Sequence, residues 1–146
     1  MIFKSFWFWF ITVFIAIQFI PVDVPAKIES DPKDEIEAPK EIISILKRSC
    51  YDCHSNESTY PWYDRVAPVS WIVKDHVKNG RKVVNFSIWK SYEKKKQKFF
   101  ADKLGKAIII RMPMPSYLWL HPKATISNVE KKLLKEWGEN LKETIK

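Results

Sequence analysis

The chain has 146 residues, 46% of them hydrophobic and 14% aromatic, which suffices for one cored domain and excludes a disordered chain. Its net charge of +8 is unevenly placed: residues 1–22 carry one charge, residues 23–41 sum to −4, and residues 42–146 hold +11. So basic a domain favours acidic partners or the surface of an anionic membrane.

Ser5 to Val22 reads SFWFWFITVFIAIQFIPV, uncharged and almost wholly apolar, with Lys4 just ahead of it. The pattern over residues 1–22 predicts a membrane-spanning helix acting as a signal anchor. Lys4 stays in the cytoplasm, so the remainder lies on the periplasmic side. The alternative is a signal peptide cut near Val24-Pro25-Ala26, which leaves a soluble periplasmic domain. Both readings export the domain and remove nucleic acid from its expected partners. Residues 23–38 are acidic and proline-containing, with no apolar period, and read as an extended tether.

The domain is expected over 39–146. Pro39 suits the first turn of a helix, and Ile42, Ile43, Ile45 and Leu46 give that helix an apolar face leading into Cys50. Ser55 to Pro68 reads as a packed loop. A second helix is predicted from about Val69 to Lys78, with Val69, Val73 and Val77 in register and Gly80 ending it. A third, from about Ser91 to Ile110, places Tyr92, Phe100, Leu104 and Ile108 on one stripe. Its lysines (Lys94, Lys95, Lys96, Lys98) form either a solvated face or a docking face for acidic redox partner proteins. The last helix opens on an S-x-x-E capping box at Ser127 and Glu130 and repeats Val129, Leu133, Trp137 and Leu141. No segment alternates with period two. The expected fold is all-α: a compact, cytochrome c-like domain of about four helices behind the N-terminal membrane-spanning helix.

The chain's two cysteines fall in Cys50-Tyr51-Asp52-Cys53-His54. Thiols three residues apart lie on one side of a helical turn, where they can add to the two vinyl groups of a haem. The histidine that follows then points its imidazole at the iron. This predicts one haem c per chain, attached through Cys50 and Cys53 and ligated by His54. A disulfide, a thioredoxin-like pair and a zinc site are weaker readings: the last two lack their βαβ surround and their further ligands. Candidates for the sixth iron ligand are Met112, Met114, His76 and His121. Met112 is preferred because the proline-flanked run Arg111-Met112-Pro113-Met114-Pro115 is expected to lie extended over a haem face. His76 and Met114 are the alternatives. Arg81 is a candidate partner for a haem propionate. Trp71, Phe86, Trp89 and Trp119 either shield the ring or serve as core aromatics.

The strings CYDCHSN, YPWY, APVSW, HVKNGR, NFSIW and MPMPSYLWLHP, spread over about Pro39 to Trp137, resemble the small haem-binding domain family of bacterial envelope cytochromes. The resemblance implies a monohaem c-type domain behind a signal or anchor. It places the family's Cys-x-x-Cys-His on Cys50, Cys53 and His54 and its Met-Pro on Met112-Pro113, with Met114 standing where leucine is common. The expected function is single-electron transfer by a six-coordinate haem. The alternative is a five-coordinate haem that senses a gas or reduces peroxide, with His76 as its distal group.

Overall fold

The structure is a computed structural model and describes residues 5–22 and 28–145. Seven α-helices follow in order among these residues: α1 (Phe6–Gln18), α2 (Lys40–Ser49), α3 (Tyr51–His54), α4 (Val69–Val83), α5 (Lys94–Ile110), α6 (Pro115–Leu120) and α7 (Asn128–Thr144). Short 3-10 turns join them, and no strand occurs among the described residues. The all-α expectation holds, with more helices than the four expected.

Buried apolar side chains recur on α2 at Ile42, Ile45 and Leu46, a spacing of three and four that turns one face of the helix inward. That face meets Leu104 and Ile108 of α5 and Leu134 of α7 in one core, together with Tyr51, Phe86 and Trp89. Leu46 and Leu134 are fully buried, each contributing about 1.5–3 kcal/mol by leaving water. The helices α5 and α7 pack along one another. Their approach is close enough that a Cβ on Gly138 would stand 3.1 Å from the Ala101 carbonyl oxygen. The Ser127–Glu130 capping box forms as expected, each side chain bonding the other's backbone N–H.

The first element differs from its expectation. At 13 residues α1 is about 20 Å long, against the ~30 Å of a bilayer's hydrocarbon core. No helix among the described residues is long and apolar enough to cross a membrane. The helix ends at Gln18, three residues before Pro21, and the Gln18 side chain is bonded to the domain. Its Nε2 donates to the Ala67 carbonyl at 3.1 Å, and its Oε1 accepts from the Ala67 N–H at 2.9 Å.

The segment read as a tether is also partly structured. Residues 23–27, including the expected cleavage point, lie outside the described residues. From Asp31 onward the chain is packed: Asp31 caps a 3-10 turn at Pro32–Asp34, Ile36 is buried in the core, and its N–H donates to Phe86 O at 2.9 Å. Glu37 pairs with Lys90.

Three smaller expectations shift. Gly80 does not end α4, which continues to Val83. The run after Met112 is not extended throughout, because Pro115 occupies the first turn of α6, where a missing N–H costs nothing. Val129 is 79% exposed rather than part of the α7 core face.

Candidate haem site

The chain leaves helical geometry at Cys50 (φ −130°), which caps α2 and starts the single turn α3. Cys50 donates to Leu46 O at 2.8 Å, while its own carbonyl accepts from the N–H groups of Cys53 (3.2 Å) and His54 (2.9 Å). That closure brings the two thiols and the imidazole to one side. Ser55 ends the turn from a fully buried position: its hydroxyl donates to Tyr51 O at 2.8 Å and accepts from the Glu57 N–H at 2.9 Å. Asn56, also buried, donates its N–H to Ser87 Oγ and accepts from Asn85 Nδ2 at 2.7 Å. Tyr51 stacks on Phe86 and donates its hydroxyl to Glu35 at 2.7 Å. The Cys-x-x-Cys-His turn is thereby fixed on both sides before any ligand is considered.

His54 Nδ1 lies 3.0 Å from Gly80 O and 3.2 Å from Val84 O, at the C-terminal end of α4. With Nδ1 donating, the neutral ring keeps its lone pair on Nε2, the arrangement a metal ligand needs. Burial pushes the imidazole below its ordinary pKa, against the opposing effect of these two hydrogen bonds, so the neutral form is favoured. Burial likewise raises the Cys50 thiol to about 12 and the Cys53 thiol to about 11. Both are free and remain protonated at neutral pH, which slows disulfide exchange because the thiolate is the nucleophile.

These groups open onto a cleft with ≈ 1090 Å³ of empty space, counted to its open mouth. One wall is α3 and α4, contributing Cys50, Cys53, His54, His76, Gly80 and Val84. The other is α5 with the turn that follows it, contributing Phe100, Leu104, Ala107, Met112 and Met114. The walls are overwhelmingly apolar, and two imidazoles, two thiols and two thioethers belong to the residues that line them. A flat, apolar macrocycle carrying two vinyl groups and an iron fits this donor set.

Cys50, Cys53, His54, Met112, Met114 and His76, all predicted from sequence, are thus brought to one cavity. Others are not. Arg81 turns away to donate to Ser55 O at 2.8 Å and Ser58 Oγ at 3.1 Å, fastening the attachment loop from outside instead of facing the cavity. Trp71 lines a separate cleft beside Gln18 and Asp64. His121 lies in another pocket, within hydrogen-bonding distance (3.2 Å) of the Tyr63 hydroxyl. Phe86 lines the cavity, Trp89 is buried in the core against Phe100, and Trp119 is 84% exposed. Sequence reasoning missed Tyr117, which also lines the cavity, and the role of Gly80.

A Cβ at Gly80 would collide with the backbone oxygen of Cys53 and stand 3.2 Å from its Cβ. The missing side chain lets α4 lie directly against the attachment turn and offer its carbonyls to His54. Gly80→Ala is therefore expected to destabilise the holoprotein by about 1–3 kcal/mol through overpacking and to lower its haem content. Denaturant unfolding and the haem-to-protein ratio check this, and wild-type values for both would show that the two helices separate freely.

A helical domain with two imidazoles, two thiols and two thioethers around one apolar cleft fits a haem-binding protein. The chain matches the model of the haem-binding domain family over residues 12–140 and belongs to that family. No curated protein and no solved structure matches it. The matched range begins inside α1 and takes in the segment read as a tether, in keeping with the burial of Ile36.

Proposed function

We propose that this chain is a single-haem c-type cytochrome that passes single electrons between partners in the cell envelope. The observation that carries the reading is the convergence of both cysteines, His54 and Met112 on one apolar cleft. The haem supplies a one-electron iron couple. The chain supplies attachment, ligation and a dry surround. Cys50 and Cys53 would hold the haem covalently, each through a thioether made by addition of its S–H across one vinyl group. His54 ligates the iron through Nε2 while the α4 carbonyls hold Nδ1.

Met112 would supply the second protein ligand to the iron. His76 lies one turn before Gly80 on α4, the helix that already holds His54, so both imidazoles rise from one wall. A ring gripped by His54 from that wall takes its second ligand from the other. There, Met112 donates its N–H to Ala107 O at 2.9 Å, which fixes its backbone on the last turn of α5.

Lys94, Lys95 and Lys96 open α5 and are exposed, and no acidic residue stands in that first turn. Three cations at the positive end of a helix dipole cost helix stability, which favours a role for them in docking acidic partners. For α1, exposed Phe6, Trp7, Trp9 and Phe10 favour lodgement in a membrane. Cells making the full chain are expected to hold its haem in the membrane fraction, facing outward. These membranes should exchange electrons with an added small acidic redox protein. The rate should fall as salt rises, because screening acts over about 8 Å at physiological ionic strength, and should fall again when Lys94, Lys95, Lys96 and Lys98 are neutralised. Haem in the cytosolic fraction defeats the location; a rate indifferent to salt and lysines leaves them a solvated face.

A further inference from the structure

Asp52 sits between the two attachment cysteines, and both of its carboxylate oxygens are engaged. Oδ2 accepts from the Tyr117 hydroxyl at 2.7 Å, and Oδ1 accepts from the Thr59 N–H at 3.2 Å. Tyr117 belongs to α6, the short helix that begins immediately after the two methionines, and its N–H donates to Met114 O at 3.0 Å. A continuous path of two hydrogen bonds therefore runs from the Cys-x-x-Cys turn to the methionine turn, through two residues that line the cavity, Asp52 and Tyr117. Tyr117 is held from behind as well: the His121 ring lies 4.3 Å from it at 32°, and Tyr63 is within hydrogen-bonding distance of His121. A six-residue helix with no buried side chain has little else to hold it down.

We propose that the Tyr117–Asp52 hydrogen bond is a latch that closes the methionine turn over the haem cavity, making Tyr117 a positioning residue for the distal ligand. Burial, then the neighbouring carboxylate, holds the phenol well above its ordinary pKa, so it remains a donor throughout the neutral range. The latch joins the two walls that contribute the iron ligands, and a charge-assisted bond in a partly buried place is stronger than an ordinary neutral one. Removing the hydroxyl leaves α6 and the turn before it free to swing outward, exposing the distal face without touching any ligand.

The inference rests on the Met112 reading for its spectroscopic arm and is independent of it for the other. Tyr117→Phe, Asp52→Ala and the double variant are made as full-chain holoproteins. Tyr117→Phe keeps the ring against His121 and so preserves the packing. Each single variant is expected to speed carbon monoxide binding to the ferrous form by about tenfold and weaken the ferric sulfur-to-iron band, with the double variant no worse than the stronger single. Amide hydrogen exchange at Tyr117 and Leu118 should also rise by about tenfold, with α7 unchanged. Additive effects, or α6 exchange at the wild-type rate in Tyr117→Phe, overturn the latch. If wild type already lacks the sulfur band, the Met112 reading is lost; the latch then stands if exchange rises and falls if it does not.

Discussion

Replacing Cys50 and Cys53 together with alanine is expected to yield a chain that surrenders all its haem to acid–acetone, while the wild-type haem stays on the polypeptide. The reason lies in the shape of the cleft. Its mouth is open, so burial alone encloses only part of a macrocycle, and extraction breaks axial bonds by protonating or displacing the ligands. Only a carbon–sulfur bond survives that treatment. Each single variant keeps one such bond and should retain haem with altered absorption, because one vinyl group remains unsaturated. The loss is all-or-none for the pair, which makes it the largest effect expected of any substitution here. Wild-type haem that extracts freely would sink covalent attachment and leave a domain that holds haem by ligation and packing.

What could be read from the sequence was local. Cys50, Cys53 and His54 lie within about one helical turn, so their convergence follows from spacing alone, and Met112 with Met114 is marked by the prolines beside them. What could not be read depends on contacts between distant segments. Arg81 is a propionate candidate from sequence because a guanidinium pairs well with a carboxylate. Helix α4 continues past it, and Arg81 turns to Ser55, 26 residues away in sequence. Tyr117 meets Asp52 across 65 residues, and nothing near it in the chain announces that bond. Gln18 likewise meets Ala67 across 49 residues, through its amide nitrogen and its amide oxygen. The α7 stripe shows a geometric limit. A step of four residues overshoots a 3.6-residue turn by about 40°, so Val129 and Leu141 stand about 120° apart and cannot both face the core centrally. Val129 is exposed, and Leu134, off the predicted stripe, is buried instead.

Met112→Ala is expected to open the distal face of the iron. The ferric holoprotein should lose its sulfur-to-iron charge-transfer band, and the ferrous form, closed to carbon monoxide in wild type, should bind it readily. The potential should fall, because a thioether favours ferrous over ferric iron. Met114→Ala is the demanding control. Met114 lines the same cavity but caps α6, and its carbonyl accepts from both the Tyr117 and Leu118 N–H groups, so its backbone serves the helix whatever the side chain. Its truncation should leave band and potential near wild type, at the cost of some packing. His76→Ala separates the remaining reading. If His76 were the ligand, its removal and not that of Met112 would admit carbon monoxide, and the starting potential would be the lower one of paired imidazoles. That would require a ring held on both faces from α3 and α4, with α5 closing only its edge. The reading proposed here would instead draw the second ligand from the chain after α5, where Met112 lines the cavity with Phe100, Leu104 and Ala107.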